Sequence, residues 1–274
     1  LNFLIIKLVY FIKENFMNSP FFMKVSKLKN FLESKYAQYC SPQFIKTDPI
    51  QIPHRFTRKE DIEIAGFLAA TIAWGQRPTI IRNAERLLSG MNNAPFDFVL
   101  NHKPKDLQRF EGFVHRTFNY DDVCYFFTSL QNIYRHHGGM EKLFEPRRDE
   151  INMKYALGRF RYTFFELEHL PRSRKHVSDP FANSACKRLN MFLRWMARPA
   201  DGIDFGLWKF VSPALLSCPL DVHSGRVARK LGLLERNAND WKAVEELDQN
   251  LRAMNPEDPV RYDFALFGLG VFEK

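Results

Sequence analysis

Apolar residues along this chain recur mostly every three or four positions, which is the spacing of one face of an α-helix. Runs of strictly alternating apolar and polar residues, which would indicate strands, are few. The pattern therefore predicts a mainly α-helical protein. Outside the stretch between residues 57 and 91, the predicted helices cover residues 24–39, 94–102, 121–137, 186–198, 221–231, 241–254 and 262–272.

The stretch between residues 57 and 91 has the clearest helical pattern, but Gly75 and Pro78 interrupt it. Because proline suits the first turn of a helix, this stretch predicts two helices joined by a turn over residues 74–77. Further along, residues 145–182 are rich in charge and indicate two shorter helices followed by a basic loop.

The first 22 residues need separate treatment, since they begin with the apolar run LNFLIIKLVYFI. Lys7 interrupts this run, which is also too short to span a bilayer. The sequence from Met23 onward is more typical of the beginning of a protein. We therefore expect residues 1–22 to be a non-native or poorly defined extension and residues 23–274 to form the helical protein, with no membrane association.

The formal net charge of +9 favours a polyanionic partner. The four cysteines are far apart and form no C-x-x-C pair, which argues against a zinc site and against a redox motif. Buried free thiols in a cytoplasmic protein are the expected state. No histidine and carboxylate pair has metal-ligand spacing, and no glycine-rich phosphate loop is present, so we expect neither a metal nor a cofactor.

One short motif combines a carboxylate with a basic helix. The run P-L-D-V-H-S-G-R-V-A-R-K-L-G-L covers residues 219–233, with Asp221 at the predicted helix start. Asp is a common N-cap residue, so a purely structural role is the simpler interpretation. Arg226 and two further cations follow on the same helix, which would place the carboxylate close to a basic surface.

The pattern D-x-H-x-x-R-V followed by R-x-L-G-L resembles a segment of the helix-hairpin-helix DNA glycosylases, the superfamily of endonuclease III and 8-oxoguanine glycosylase. In that superfamily the Asp is the catalytic carboxylate, which implies this role for Asp221. A weaker similarity extends over residues 60–270. The blocks S-A-C-K-R-L-N, R-W-M and P-L-D-V-H also resemble those of a bacterial family of unknown function.

This resemblance implies a two-lobed, helical, DNA-glycosylase-like fold. The N-terminal and C-terminal helices would share one lobe, and residues 58–140 would form much of the other. It also implies double-stranded DNA, including damaged DNA, as the partner, and a monomeric protein. The C-terminal sequence has no cysteine ladder, so an iron–sulfur cluster of the endonuclease III kind is not expected.

The chain departs from the glycosylase pattern at the hairpin. The L-P-G-V-G hairpin, whose backbone amides grip a DNA phosphate in the glycosylases, is replaced by residues 183–187. In bifunctional glycosylases a lysine that ends the hairpin attacks the sugar, and Lys187 stands at the corresponding point. Lys187 and Asp221 are 34 positions apart (221 − 187), more than in the superfamily, and residues 199–217 look like an insertion.

Other candidate residues follow from charge and aromatic character. Trp195, Trp208 and His223 are candidates for lining a base pocket, although tryptophans are more often core residues. The basic loop and the helix starts supply candidate DNA contacts. As a solvated basic face, the same residues would need no functional explanation. They are Gln76, Arg77, Arg172, Arg174, Lys175, Arg188, Arg194 and Arg226.

The sequence thus favours a DNA-binding protein that is a possible base-excision DNA glycosylase, with or without lyase activity. Two alternatives remain open. One is a catalytically inactive relative that binds nucleic acid through its basic face. The other is a helical protein-interaction module, because a shared fold does not imply a shared function.

Overall fold

The computed structural model describes residues 20–273, with side chains from residue 25 onward. Nearly all of the expected extension lies outside this range, and residues 20–22 begin the first helix. The mainly helical class is confirmed. The described part has ten α-helices of seven or more residues: α1 Pro20–Tyr39, α2 Lys59–Thr71, α3 Arg77–Gly90, α4 Pro95–Asn101, α5 Tyr120–His136, α6 Lys154–Phe164, α7 Lys187–Ala197, α8 Val222–Lys230, α9 Trp241–Met254 and α10 Asp263–Phe272.

Short elements connect these helices. Two four-residue helices cover Pro42–Ile45 and Met140–Leu143, and one small antiparallel sheet pairs β1 Val114–His115 with β2 Phe118–Asn119. The 3₁₀ helices cover Pro49–Gln51, Pro53–Arg55, Pro104–Phe110, Pro171–His176, Pro213–Leu215 and Pro259–Tyr262. None of the helices described between residues 20 and 273 is long and apolar enough to cross a membrane.

The larger core is centred on α2, which is buried along almost its whole length. The ring of Phe67 on this helix lies 5.8 Å from Phe126, 5.5 Å from Phe160 and 5.6 Å from Phe192. These partners come from α5, α6 and α7, so one ring joins four helices. Aromatic pairs of this kind contribute about 0.5–1.5 kcal/mol each beyond the burial of their area.

A smaller core joins α1 to the three C-terminal helices α8, α9 and α10. Helix α10 approaches the start of α8 closely at Gly270. A Cβ atom at this position would lie 2.9 Å from the carbonyl oxygen of His223, which real Cβ contacts do not show. The glycine therefore lets α10 support the first turn of α8, where Asp221 stands.

The segment between α7 and α8 packs against the larger core instead of extending into solvent. Trp208 is buried, and its Nε1 donates a hydrogen bond of 2.6 Å to Glu63 Oε1 on α2. Asp204 accepts hydrogen bonds from Arg194 at 3.3 Å and from Arg198 at 3.0 Å. The segment leaves the end of α7 and returns to the start of α8, so the long spacing in sequence does not separate the two helix starts in space.

We expect Trp208→Phe to lower the free energy of unfolding by about 1–3 kcal/mol more than Trp195→Phe, because a buried acceptor loses its donor. Both tryptophans are fully buried, and the two substitutions remove the same atoms. Trp195 Nε1 has no hydrogen-bond partner among the described residues, so its replacement breaks no such bond. Urea unfolding followed by circular dichroism measures the difference, and equal losses would contradict this role of Glu63.

Candidate functional site

A cleft of about 1110 Å³ lies between the two cores. Its walls come from the start of α3, the start of α7, the start of α8 and one face of α10. Lys187 and Asp221 both line it, as do the aromatic rings of Trp74, Phe264 and Phe267. The cleft therefore combines titratable groups with flat apolar surface.

Lys187 is the first residue of α7, and its side chain is partly exposed in the cleft. Its Nζ lies 4.0 Å from Asp221 Oδ2 and 3.7 Å from Met191 Sδ. The chain enters this helix through two left-handed residues, Asn183 at φ 60° and Cys186 at φ 47°. Glycine favours this conformation. The loop before α7 thus makes tight turns without the glycines of the glycosylase hairpin.

Asp221 is the N-cap of α8 and uses its two carboxylate oxygens differently. Oδ1 accepts hydrogen bonds from the backbone N–H groups of His223 at 2.8 Å and Ser224 at 3.0 Å. In return, the Ser224 hydroxyl accepts a bond of 2.9 Å from the Asp221 backbone N–H. Oδ2 is the oxygen nearer to Lys187. One oxygen therefore holds the helix start, while the other faces the cleft.

Asn239, another residue of the cleft lining, holds the backbone of Asp221 in place. Its side-chain amide donates a hydrogen bond of 3.0 Å to the carbonyl oxygen of Asp221, and its own oxygen accepts one of 2.8 Å from Arg229. A Cβ atom at Gly225 would lie 2.8 Å from the Asn239 side-chain oxygen. The glycine in the D-V-H-S-G-R-V motif therefore makes room for the residue that fixes the backbone of Asp221.

A buried ion pair lies in the cleft wall behind Lys187 and Asp221. Arg194 is only 3% exposed and forms ion pairs with Asp263 and Asp204. Burial raises the pKa of Asp263 to about 6. Arg194, which was expected to contact DNA, is therefore already held by two internal carboxylates.

Two carboxylates of the cleft were missed in the sequence. Asp263 stands in the run D-F-A-L-F-G-L-G, whose apolar residues indicate a helix but not a carboxylate in a cleft. Asp48 also lines the cleft, and its Oδ1 accepts a hydrogen bond of 3.1 Å from the backbone N–H of Ile50. Burial raises its pKa. An Asp before a proline is a typical helix N-cap signal, which could have identified Asp48 as ordered but not as a cleft residue.

The expected base-pocket residues separate into two groups. His223 is exposed and lines the cleft, with its ring 6.4 Å from that of Phe267. Trp195 and Trp208 are fully buried in the larger core and do not line the cleft, so this prediction is wrong for both. Their burial follows from α7 and the following segment, which pack against α2 and leave no open face there.

The residues expected to contact DNA also fall into two groups, those at the cleft and those away from it. Arg77, Arg188 and Arg226 line the cleft. Gln76 is the exposed N-cap residue of α3 beside them.

The three predicted cations of the basic loop do not line this cleft. Arg172 forms an ion pair of 3.0 Å with buried Asp122, and Arg174 donates a hydrogen bond of 2.8 Å to His169. Lys175 is exposed, and its carbonyl oxygen lies 3.5 Å from Arg188 Nη2. The structure therefore does not bring Arg172, Arg174 or Lys175 together with Lys187 and Asp221.

Within the described residues, no three His, Cys, Asp or Glu side chains are grouped so that they could hold a metal ion. The four cysteines are free thiols, of which Cys186 and Cys218 are buried. Burial raises the pKa of Cys186 to about 12, which disfavours its reactive thiolate.

Residues 48–272 match the family model described as "Protein of unknown function (DUF2400)", and the chain belongs to this family. The match covers α2 to α10, and so includes every residue that lines the cleft from Asp48 onward. No curated protein and no solved structure matches the chain.

Proposed function

We propose that this protein binds double-stranded DNA in the cleft and excises a damaged base, as helix-hairpin-helix glycosylases do. One observation carries the proposal. Lys187 Nζ and Asp221 Oδ2 lie 4.0 Å apart and are both partly exposed in one cleft, although 34 positions (221 − 187) separate them in sequence. This is the amine and carboxylate pair that the sequence resemblance implies.

The proposed reaction begins with a nucleotide turned out of the double helix, because the glycosidic bond is unreachable inside the base stack. Lys187 passes one ammonium proton to Asp221, and its amine attacks C1′ of the sugar. The C1′–N bond breaks, and the base leaves with the bonding electrons and takes the proton from Asp221. The nitrogen then loses a second proton to the ring oxygen as the C1′–O4′ bond opens, which leaves a Schiff base.

Asp221 is suited to this role by its position. Its carboxylate can stabilise the positive charge that develops on the sugar as the base leaves. The capping bonds to Oδ1 hold the group in one orientation, so little reorganisation is needed during the reaction. A glycosylase without lyase activity would use Asp221 in the same way, with water in place of the lysine amine.

Binding to duplex DNA tests the first half of the proposal. Besides Lys187, which the proposed reaction uses as the nucleophile, the cleft offers Arg77, Arg188 and Arg226 to phosphates. With about three phosphate contacts and a slope of about −0.9 for each, the affinity should fall about fortyfold between 50 and 200 mM salt. Fluorescence anisotropy with a labelled duplex measures this slope, and an affinity that salt does not change would contradict the proposal.

Base release tests the second half. Duplexes that each carry one lesion, such as uracil, 8-oxoguanine, an alkylated purine or an abasic site, are incubated with the protein and then treated with alkali. Strand cleavage at one lesion supports excision, and cleavage without alkali adds lyase activity. Salt-dependent binding without cleavage would indicate a catalytically inactive relative of the glycosylases. The absence of both binding and cleavage would favour a protein-interaction module.

A further inference from the structure

Arg188 is a half-buried cation in the wall of the cleft. Its guanidinium lies over the ring of Trp74, 4.7 Å from the centroid. One nitrogen donates a hydrogen bond to the carbonyl oxygen of Thr71 at the end of α2, and another lies 3.5 Å from the carbonyl oxygen of Lys175. No carboxylate of residues 25–273 lies within 4.0 Å of it. The group is therefore held in place without a counter-charge.

A guanidinium removed from water needs a negative partner, because the loss of hydration is otherwise uncompensated. The two carbonyl groups supply only partial charge. Burial lowers the pKa of Arg188 to about 10, which shows that the surroundings disfavour its charged form. Arg194 on the same helix is also buried, but two carboxylates pair with it. The structure therefore distinguishes Arg194, which pairs with internal carboxylates, from Arg188, which has none within 4.0 Å among residues 25–273.

We propose that Arg188, held against Trp74, forms a binding site for one phosphate group in the cleft wall. A guanidinium has five N–H donors in a planar fork, and the two carbonyl groups engage only part of them. The remaining donors match two oxygens of one phosphate. The contact with the Trp74 ring and the hydrogen bond to Thr71 hold the guanidinium in place, so the site is formed before a ligand arrives.

The position of Arg188 indicates which phosphate it binds. Lys187 is the preceding residue and lines the same cleft. If the proposed function holds, the phosphate belongs to the nucleotide acted on or to its immediate neighbour. A free phosphate ion offers the same chemistry, so the experiment needs one arm for the DNA backbone and another for the ion.

The DNA arm uses duplexes in which one phosphate at a time is replaced by a neutral methylphosphonate. In the wild type, methylphosphonate substitution at one position near the lesion should weaken binding about tenfold. Arg188→Gln should lose this sensitivity at that position alone. The variant should also have a salt slope smaller by about 1. Arg86→Gln is the matched control, since Arg86 also lies over a ring, Phe113 at 5.3 Å, but is outside the cleft.

The second arm measures the melting temperature in inorganic phosphate and in chloride of equal ionic strength. Stabilisation by phosphate in the wild type but not in Arg188→Gln, with no DNA binding, supports a site for the free ion and overturns the DNA proposal. If the variant keeps the wild-type methylphosphonate profile while excision persists, the phosphate site is wrong and the proposed function stands. If Arg188→Gln does not fold, Arg188→Lys replaces it; this variant keeps the charge but not the fork, so it should lose the methylphosphonate sensitivity and keep the wild-type salt slope.

Discussion

Replacing Lys187 with Gln should abolish covalent trapping of the protein on lesion-bearing DNA by borohydride. Borohydride reduces a Schiff base to a stable secondary amine, and only a primary amine can form that Schiff base with the sugar. Glutamine has no such amine. Because loss of a nucleophile removes the covalent route entirely, we expect the trapped fraction to fall at least about 10³-fold. Gel analysis of the protein–DNA adduct after a fixed time measures it.

The control for this substitution is Lys230→Gln at the end of α8, an exposed lysine that does not line the cleft. It changes the net charge of the protein by the same amount and should trap as the wild type does. Lys187→Gln should also bind the duplex within a few-fold of the wild type, because most of the cleft cations remain. Undiminished trapping in Lys187→Gln would show that another amine is the nucleophile.

Replacing Asp221 with Asn should separate the two roles of this residue. Asn is as good an N-cap as Asp, so the amide oxygen can still accept the bonds from His223 and Ser224. We expect the free energy of unfolding to change by less than about 1 kcal/mol. The negative charge beside Lys187 is lost, however, and base release should fall about 10²–10³-fold. Single-turnover kinetics on the best lesion and urea unfolding together give both values.

Asp240→Asn is the matched control, because Asp240 caps α9 and accepts a hydrogen bond of 3.1 Å from Ala243 but does not line the cleft. It should leave base release unchanged. Asp221→Ala, in contrast, should lose both the cap and the activity, and should cost about 1 kcal/mol of stability. Equal base release by wild type and Asp221→Asn would mean that Asp221 is only a capping residue.

The helices and the Asp221 motif could be predicted because both depend on local sequence. Apolar spacing marks α9, for example, without any knowledge of its neighbours. A carboxylate before a helical pattern indicates an N-cap, and Asp221 is one. The meeting of Lys187 and Asp221 could be expected only through the glycosylase resemblance, since the spacing of the two residues argued against it.

The partners of Arg194 could not be predicted, because they are distant in sequence. Its charge and its position on α7 were as consistent with a DNA contact as with an internal ion pair. Asp204 lies in the apparent insertion and Asp263 starts α10, so only the packing of α7 between them turns Arg194 into a buried ion-pair residue. The burial of Trp195 and Trp208, which were expected in a base pocket, could not be predicted for a related reason. The segment after α7 folds back onto the larger core.

Mapping the trapped adduct tests the central claim most directly. The wild-type protein is reduced with borohydride on its preferred lesion, the DNA is digested, and the modified peptide is sequenced by mass spectrometry. We expect the sugar remnant on Lys187, and a much smaller yield of this peptide from Asp221→Asn. A remnant on a lysine outside the cleft, or neither an adduct nor base release with any lesion, would contradict the assignment of Lys187 and Asp221 as the reacting pair.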